Sequence, residues 1–215
     1  MPIIHHPDDA TLMSFAAGSL GEALSAVIAS HIDLCPRCAA EVRIMEHVGA
    51  ALFDSLKPTG MSGLTVASPL RREASVRTEP AETEVVGGIV PGPLTRFVGS
   101  DLDQIPWKRL GIGVWHYPLP LSPGVKGDLR LLKVAPGQAM PEHGHGGAEL
   151  TLLLRGSYRD EVGTFRRGDV ADLDEDVEHR PVASLDEGCI CLIASEEKAR
   201  FRGLMARLVQ PLTGF

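Results

Sequence analysis

His31, Cys35 and Cys38 stand in the run His31-Ile-Asp-Leu-Cys35-Pro-Arg-Cys38, an H-x3-C-x2-C spacing. One imidazole and two thiols so placed suit a tetrahedral ion bound through nitrogen and sulfur, and a closed site of this kind needs a fourth ligand. His5 and His6 lie upstream and are the better candidates for it, while His47 lies two to three helical turns downstream of Cys38. A second group of ligand types occupies the other half of the chain, in Gly137-Gln-Ala-Met-Pro-Glu-His143-Gly-His145-Gly-Gly-Ala-Glu149. Alternate residues of a strand share a face, so His143 and His145 point together, Glu149 approaches from the next strand segment, and His179 is the natural fourth ligand. Imidazoles with one carboxylate suit zinc, iron, manganese or nickel, so ligand type alone does not choose the metal.

Three short helices must position the first group. Pro7 with Asp8 and Asp9 makes a helix start, because proline fits the first turn and carboxylates suit the dipole there, and Gly18 stops that helix. Ser19 and Glu22 read as a capping box, and Leu20, Leu24, Val27, Ile28 and Ile32 recur at helical spacing up to about Leu34. Pro36 cannot continue that helix and disfavours helical geometry at Cys35, so the chain turns and a third helix runs from Pro36 to about Leu56. His31 then closes one helix, Cys35 sits at the corner and Cys38 lies in the first turn of the next, where the helix N-terminus favours a thiolate. Antiparallel packing of the first helix returns His5 and His6 to the corner.

The chain has 215 residues, 44% of them apolar, which is enough for one large or two small cores. A formal net charge of −7 argues against direct nucleic-acid binding. There is no run of about 18 apolar residues to span a membrane, and the start MPIIHHPDDA lacks the pattern of a signal peptide. The four cysteines fall in two close pairs, which fits a reducing, cytoplasmic setting. Cys189 and Cys191, in the apolar run GCICLIAS, read as small buried hydrophobes too far apart for an easy disulfide. Prolines and glycines spread through 57–95 mark a connector, with a fourth helix expected within 62–76. Beyond it, GVWHYPL, DLRLLKV, ELTLLLRG, YRDEV, GDVADL, HRPVA, CICLIA and ARLV read as short strands of a sandwich or barrel. The acidic run Asp169, Asp172, Asp174, Glu175, Asp176 and Glu178 reads as a solvated face, and Trp115 and His116 as packing residues.

An upstream histidine followed by H-x3-C-x2-C resembles the zinc-binding anti-sigma domains, over roughly the first 75 residues. That resemblance implies His6, His31, Cys35 and Cys38 as the ligands of a structural zinc. It also implies a helical domain that wraps an extracytoplasmic-function sigma factor. Residues 1–60 hold seven acidic and three basic side chains, a net −4 compatible with covering a basic surface. The pattern G-x5-H-x-H-x3-E-x6-G, from Gly137 to Gly156, resembles the first cupin motif at every fixed position. Gly168 and His179 resemble the second, in which Asp174, Asp176 and Ala183 replace its proline, glycine and asparagine.

Together these halves resemble the ChrR-type anti-sigma factors. The resemblance implies an α+β chain: a small all-α zinc-binding helical domain (1–76), a linker (77–95) and an all-β cupin, or jelly-roll barrel, domain (96–215). It implies a non-enzymatic cytoplasmic regulator that holds a sigma factor one-to-one and releases it under photo-oxidative or peroxide stress. Two zinc ions per chain are implied, one in the helical domain and one at His143, His145, Glu149 and His179, where another divalent metal could substitute. The rival reading is a cupin dioxygenase or isomerase with an accessory zinc module. A third is a thiol switch at Cys35 and Cys38 that gives up its zinc on oxidation.

Overall fold

A computed structural model describes residues 2–57, 90–144, 146–174, 177–197 and 200–201. The expected helix within 62–76, the segment ARLV and His145 lie outside the described residues. The chain opens with α1 (Asp9–Ala16), whose N-cap Asp8 accepts from the Thr11 N–H, and Gly18 follows it at φ 69°. Helix α2 (Glu22–Leu34) begins without a side-chain cap. The expected capping box is therefore absent: the Ser19 hydroxyl and N–H both donate to Ser14 O and close the end of α1 instead. Cys35 ends α2 in extended geometry, and Pro36 is the first residue of α3 (Pro36–Asp54), so proline's fixed φ and missing N–H fall where a helix start tolerates them. Residues 90–95, read as the end of the linker, include the start of α4 (Gly92–Val98), which is tied to α2 by a bond from Gly92 N–H to Asp33 Oδ2 of 2.9 Å.

The second part is antiparallel β throughout. Its strands are β1 (Lys108–Gly111), β2 (Val114–Pro118), β3 (Asp128–Val134), β4 (His143–Gly144), β5 (Glu149–Arg159), β6 (Thr164–Arg166), β7 (Val170–Leu173), β8 (Glu178–His179), β9 (Val182–Ala183), β10 (Cys189–Ser195) and β11 (Arg200–Phe201). The larger sheet runs β1-β2-β3-β10-β5-β6 with β7 and β9 also on β5, and the smaller runs β11-β4-β8. The segments ELTLLLRG and YRDEV, read as separate strands, are joined in the single strand β5, which takes in ELTLLLRG and runs on to end at Arg159. It bends at Gly156, whose φ is +69° and where a Cβ would stand 2.0 Å from Gly188 O, so the motif's last glycine is required sterically.

Strand β10 reads as an almost unbroken apolar run, and β3 and β5 carry apolar residues on both faces, because both faces of these strands are covered. Leu129, Leu131, Leu150, Leu152, Leu154, Ile190, Leu192 and Ala194 join one cluster with Leu24, Val27 and Ile28 of α2 and Leu94 of α4. The alternate residues Leu132, Val134, Leu153, Cys189 and Cys191 form a second cluster inside the barrel with Tyr158 and Phe165. The helices thus lie on the outside of the barrel and share a core with it. Among the described residues, no helix is long and apolar enough to cross a membrane.

Candidate metal centres

The corner between α2 and α3 brings His31, Cys35 and Cys38 together, and the extended segment before α1 delivers His6. Their ligand atoms all lie within 4.8 Å of one another. His6 Nδ1 is 3.5 Å from Cys35 Sγ and 3.3 Å from Cys38 Sγ, close to the edge of about 3.6 Å expected of a tetrahedron with zinc–nitrogen and zinc–sulfur bonds. His31 Nδ1 donates to Gly168 O at 2.9 Å, so Nε2 carries the lone pair, and that atom is buried with no hydrogen-bond partner. Burial, which outweighs the bond to Gly168, lowers the His31 pKa to about 4 and keeps the ring neutral. Burial and then the neighbouring Cys35 push Cys38 up to about 12 in the absence of a cation. An orphaned imidazole nitrogen beside two close thiols, with burial holding the Cys38 proton in place when no cation is present, is the chemistry of a site completed by a soft divalent cation. His5 points elsewhere, with its ring centroid 4.4 Å from that of Phe165. His47 bonds Arg43 O of its own helix.

In the barrel, His143 and His179 face each other across the β4–β8 pair, and Glu149 heads β5. Ligand atoms of these three lie within 4.8 Å of one another. His179 Nδ1 donates to Asp160 Oδ2 at 2.8 Å and His143 Nδ1 to Pro141 O at 2.9 Å. Both rings therefore present Nε2 lone pairs, 3.2 Å apart, an arrangement that favours a cation between them. Burial works against the Asp160 anion, but bonds from His179 and the Gly163 N–H outweigh it and hold its carboxyl below the usual range. The site opens on a cavity of about 60 Å³ lined by His143, Glu149, Tyr158, His179, Cys189 and Cys191, among others. The Tyr158 hydroxyl is buried there without a hydrogen-bond partner. Cys189 and Cys191 are buried free thiols with Sγ atoms 3.9 Å apart. His116 is half-buried and lies 3.4 Å from Arg130, which pairs with Asp128.

Two roles escaped the sequence. Asp160 orients His179; the turn pattern Asp160-Glu-Val-Gly163 places it but gives no hint of a histidine partner 19 residues away. Asp169 is buried and Asp172 half-buried rather than both lying on a solvated face. Asp169 is 2% exposed and accepts from the Ile4 and His5 N–H groups, and Asp172 accepts from the Asp8 N–H. No short-range pattern signals acceptors whose donors lie some 164 residues away.

A barrel that gathers two histidines and a glutamate, capped by helices that gather two histidines and two cysteines, defines a cupin-like protein with a helical module carrying a candidate metal site. Residues 95–199 match the ChrR cupin-like domain. Over 211 residues, 98% of this chain and of the relative, the sequence is 40% identical to the anti-sigma-E factor ChrR of Cereibacter sphaeroides. The crystal structure of Rhodobacter sphaeroides SigE in complex with the anti-sigma ChrR matches with a TM-score of 0.77 and 39% identity, covering 90% of this chain and 99% of that one. The chain belongs to the ChrR family of anti-sigma factors. The family's role is regulatory, so the reading as a dioxygenase or isomerase is set aside.

Proposed function

We propose that this protein is a cytoplasmic anti-sigma factor that holds an extracytoplasmic-function sigma factor in a one-to-one complex through its helices. The relative's name and the SigE complex support the partner class. The observation that carries the reading in this chain is an apolar stripe on α3. Ile44, Val48 and Leu52 follow at four-residue spacing with Phe53 and Leu56 at the end, and these five are 57% to 74% exposed. Such a patch on a helix that begins at a metal centre is the form of a docking face. Zinc fits both centres, giving two ions per chain. In the helical centre it supplies a crosslink between the N-terminal segment, α2 and α3. In the barrel, His143, Glu149 and His179, with His145 as the fourth candidate ligand, would hold the second ion.

The barrel centre is the sensing one in this reading, and release of the sigma factor follows an oxidative signal of singlet-oxygen or peroxide type. Its cavity supports a small agent: about 60 Å³ is room for a few water-sized molecules at about 10–15 Å³ each.

Replacing Leu52 and Phe53 together with Asp tests the docking face. Affinity for the co-expressed sigma factor should fall at least about 100-fold, as the loss of two apolar anchors predicts. Metal content should stay at the parent value, because neither residue approaches a ligand. A double variant that still co-purifies with the sigma factor would sink the proposal.

A further inference from the structure

The helical centre is fastened from the side of the barrel. Gly168 and Asp169, in the turn between β6 and β7, reach both chain segments that bring nitrogen to it. The Gly168 carbonyl fixes His31 through the 2.9 Å bond to Nδ1 that aims Nε2 at the thiols. Asp169 spreads its carboxylate over three backbone N–H groups: Oδ1 accepts from Ile4 at 2.7 Å and His5 at 3.1 Å, and Oδ2 from Arg166 at 2.8 Å. The Val170 N–H then donates to His5 O at 3.1 Å, which pins the residue preceding His6. Gly168 has φ +91°, and a Cβ there would stand 2.6 Å from Ile3 Cδ1, so glycine lets the N-terminal segment pass close by.

We propose that Asp169 and the Gly168 carbonyl are positioning residues for the helical metal centre, so that the barrel supplies its outer coordination sphere and both halves of the chain retain the ion. This rests on the reading of His6, His31, Cys35 and Cys38 as a metal centre. Outer partners fix ring orientation and ligand placement, and their loss costs about 10- to 100-fold in metal affinity. Asp169 has no contact with an ion; it acts by ordering the backbone on which His6 is carried.

Full-length protein loaded with cobalt(II) provides the test, because only a centre with thiolate ligands gives a sulfur-to-cobalt charge-transfer band. A control carrying both Cys35→Ser and Cys38→Ser identifies that band. Asp169→Asn keeps the shape but sets an amide against backbone donors, and a chelator should then bleach the band at least about tenfold faster. Where Asp169→Asn also lowers the thermal midpoint of the metal-free chain, Ile4→Pro decides. It removes one donor to Asp169 at an exposed residue and should speed bleaching by a smaller factor. Release at the parental rate in the deciding variant overturns the proposal while the metal reading stands. A parent without the band, or a band that survives the loss of both thiols, overturns the metal reading itself.

Discussion

At the scale of single residues, the two imidazoles before α1 divide their work: His6 turns to the thiols and His5 packs on Phe165. His6→Ala should therefore lose one metal ion per chain and His5→Ala should not, as atomic absorption of the purified variants would report. Cys38→Ser should lose the same ion together with sigma-factor binding, since the ion would crosslink the N-terminal segment, α2 and the α3 helix that carries the docking face. Full zinc content in Cys38→Ser would show the centre to be wrongly assigned. These ligand types were legible in the sequence because coordination demands particular atoms at short spacing. Their partners Gly168, Asp160 and Asp169 were not, because a carbonyl or carboxylate that orients a ligand can come from any part of the chain.

At the scale of elements, β10 shows why the strands could be found and their company could not. Alternation assigns Cys189 and Cys191 to one side and Ile190, Leu192 and Ala194 to the other, but a run apolar on both sides does not say what lies against each. The structure puts α2 and α4 on the even-numbered side. Leu192 is fully buried in that shared cluster. Leu192→Ala should cost about 2–5 kcal/mol, and urea unfolding should show the loss equally in signals from the helices and from the barrel. A barrel that unfolds at the parental midpoint while the helices melt early would contradict a common core. The helix boundaries were close, with α3 ending at Asp54 rather than Leu56. Of the expected helix starts, the capping box failed, because Ser14 O captured Ser19.

At the scale of the whole molecule, the proposed tasks divide between the halves, although their packing does not. His143→Ala should empty the barrel centre without altering the α3 stripe. A sigma-dependent reporter should therefore stay silent in unstressed cells and also under oxidative stress, while metal analysis shows one ion per chain. Normal induction in that strain would take the sensing role from the barrel. The α+β order of helices then strands was readable from proline placement and strand-like runs. The intimacy of the two parts was not, since a proline- and glycine-rich stretch says that chain intervenes, not how far apart it leaves its ends. Because the outer residues of β3, β5 and β10 belong to the helices' core, the border between the two parts is not a point along the sequence. It runs lengthwise through those strands, every second residue on either side. Exchange of the helical module between relatives would thus have to carry with it Leu150, Leu152, Ile190 and Leu192, all far downstream of the α2 residues they support.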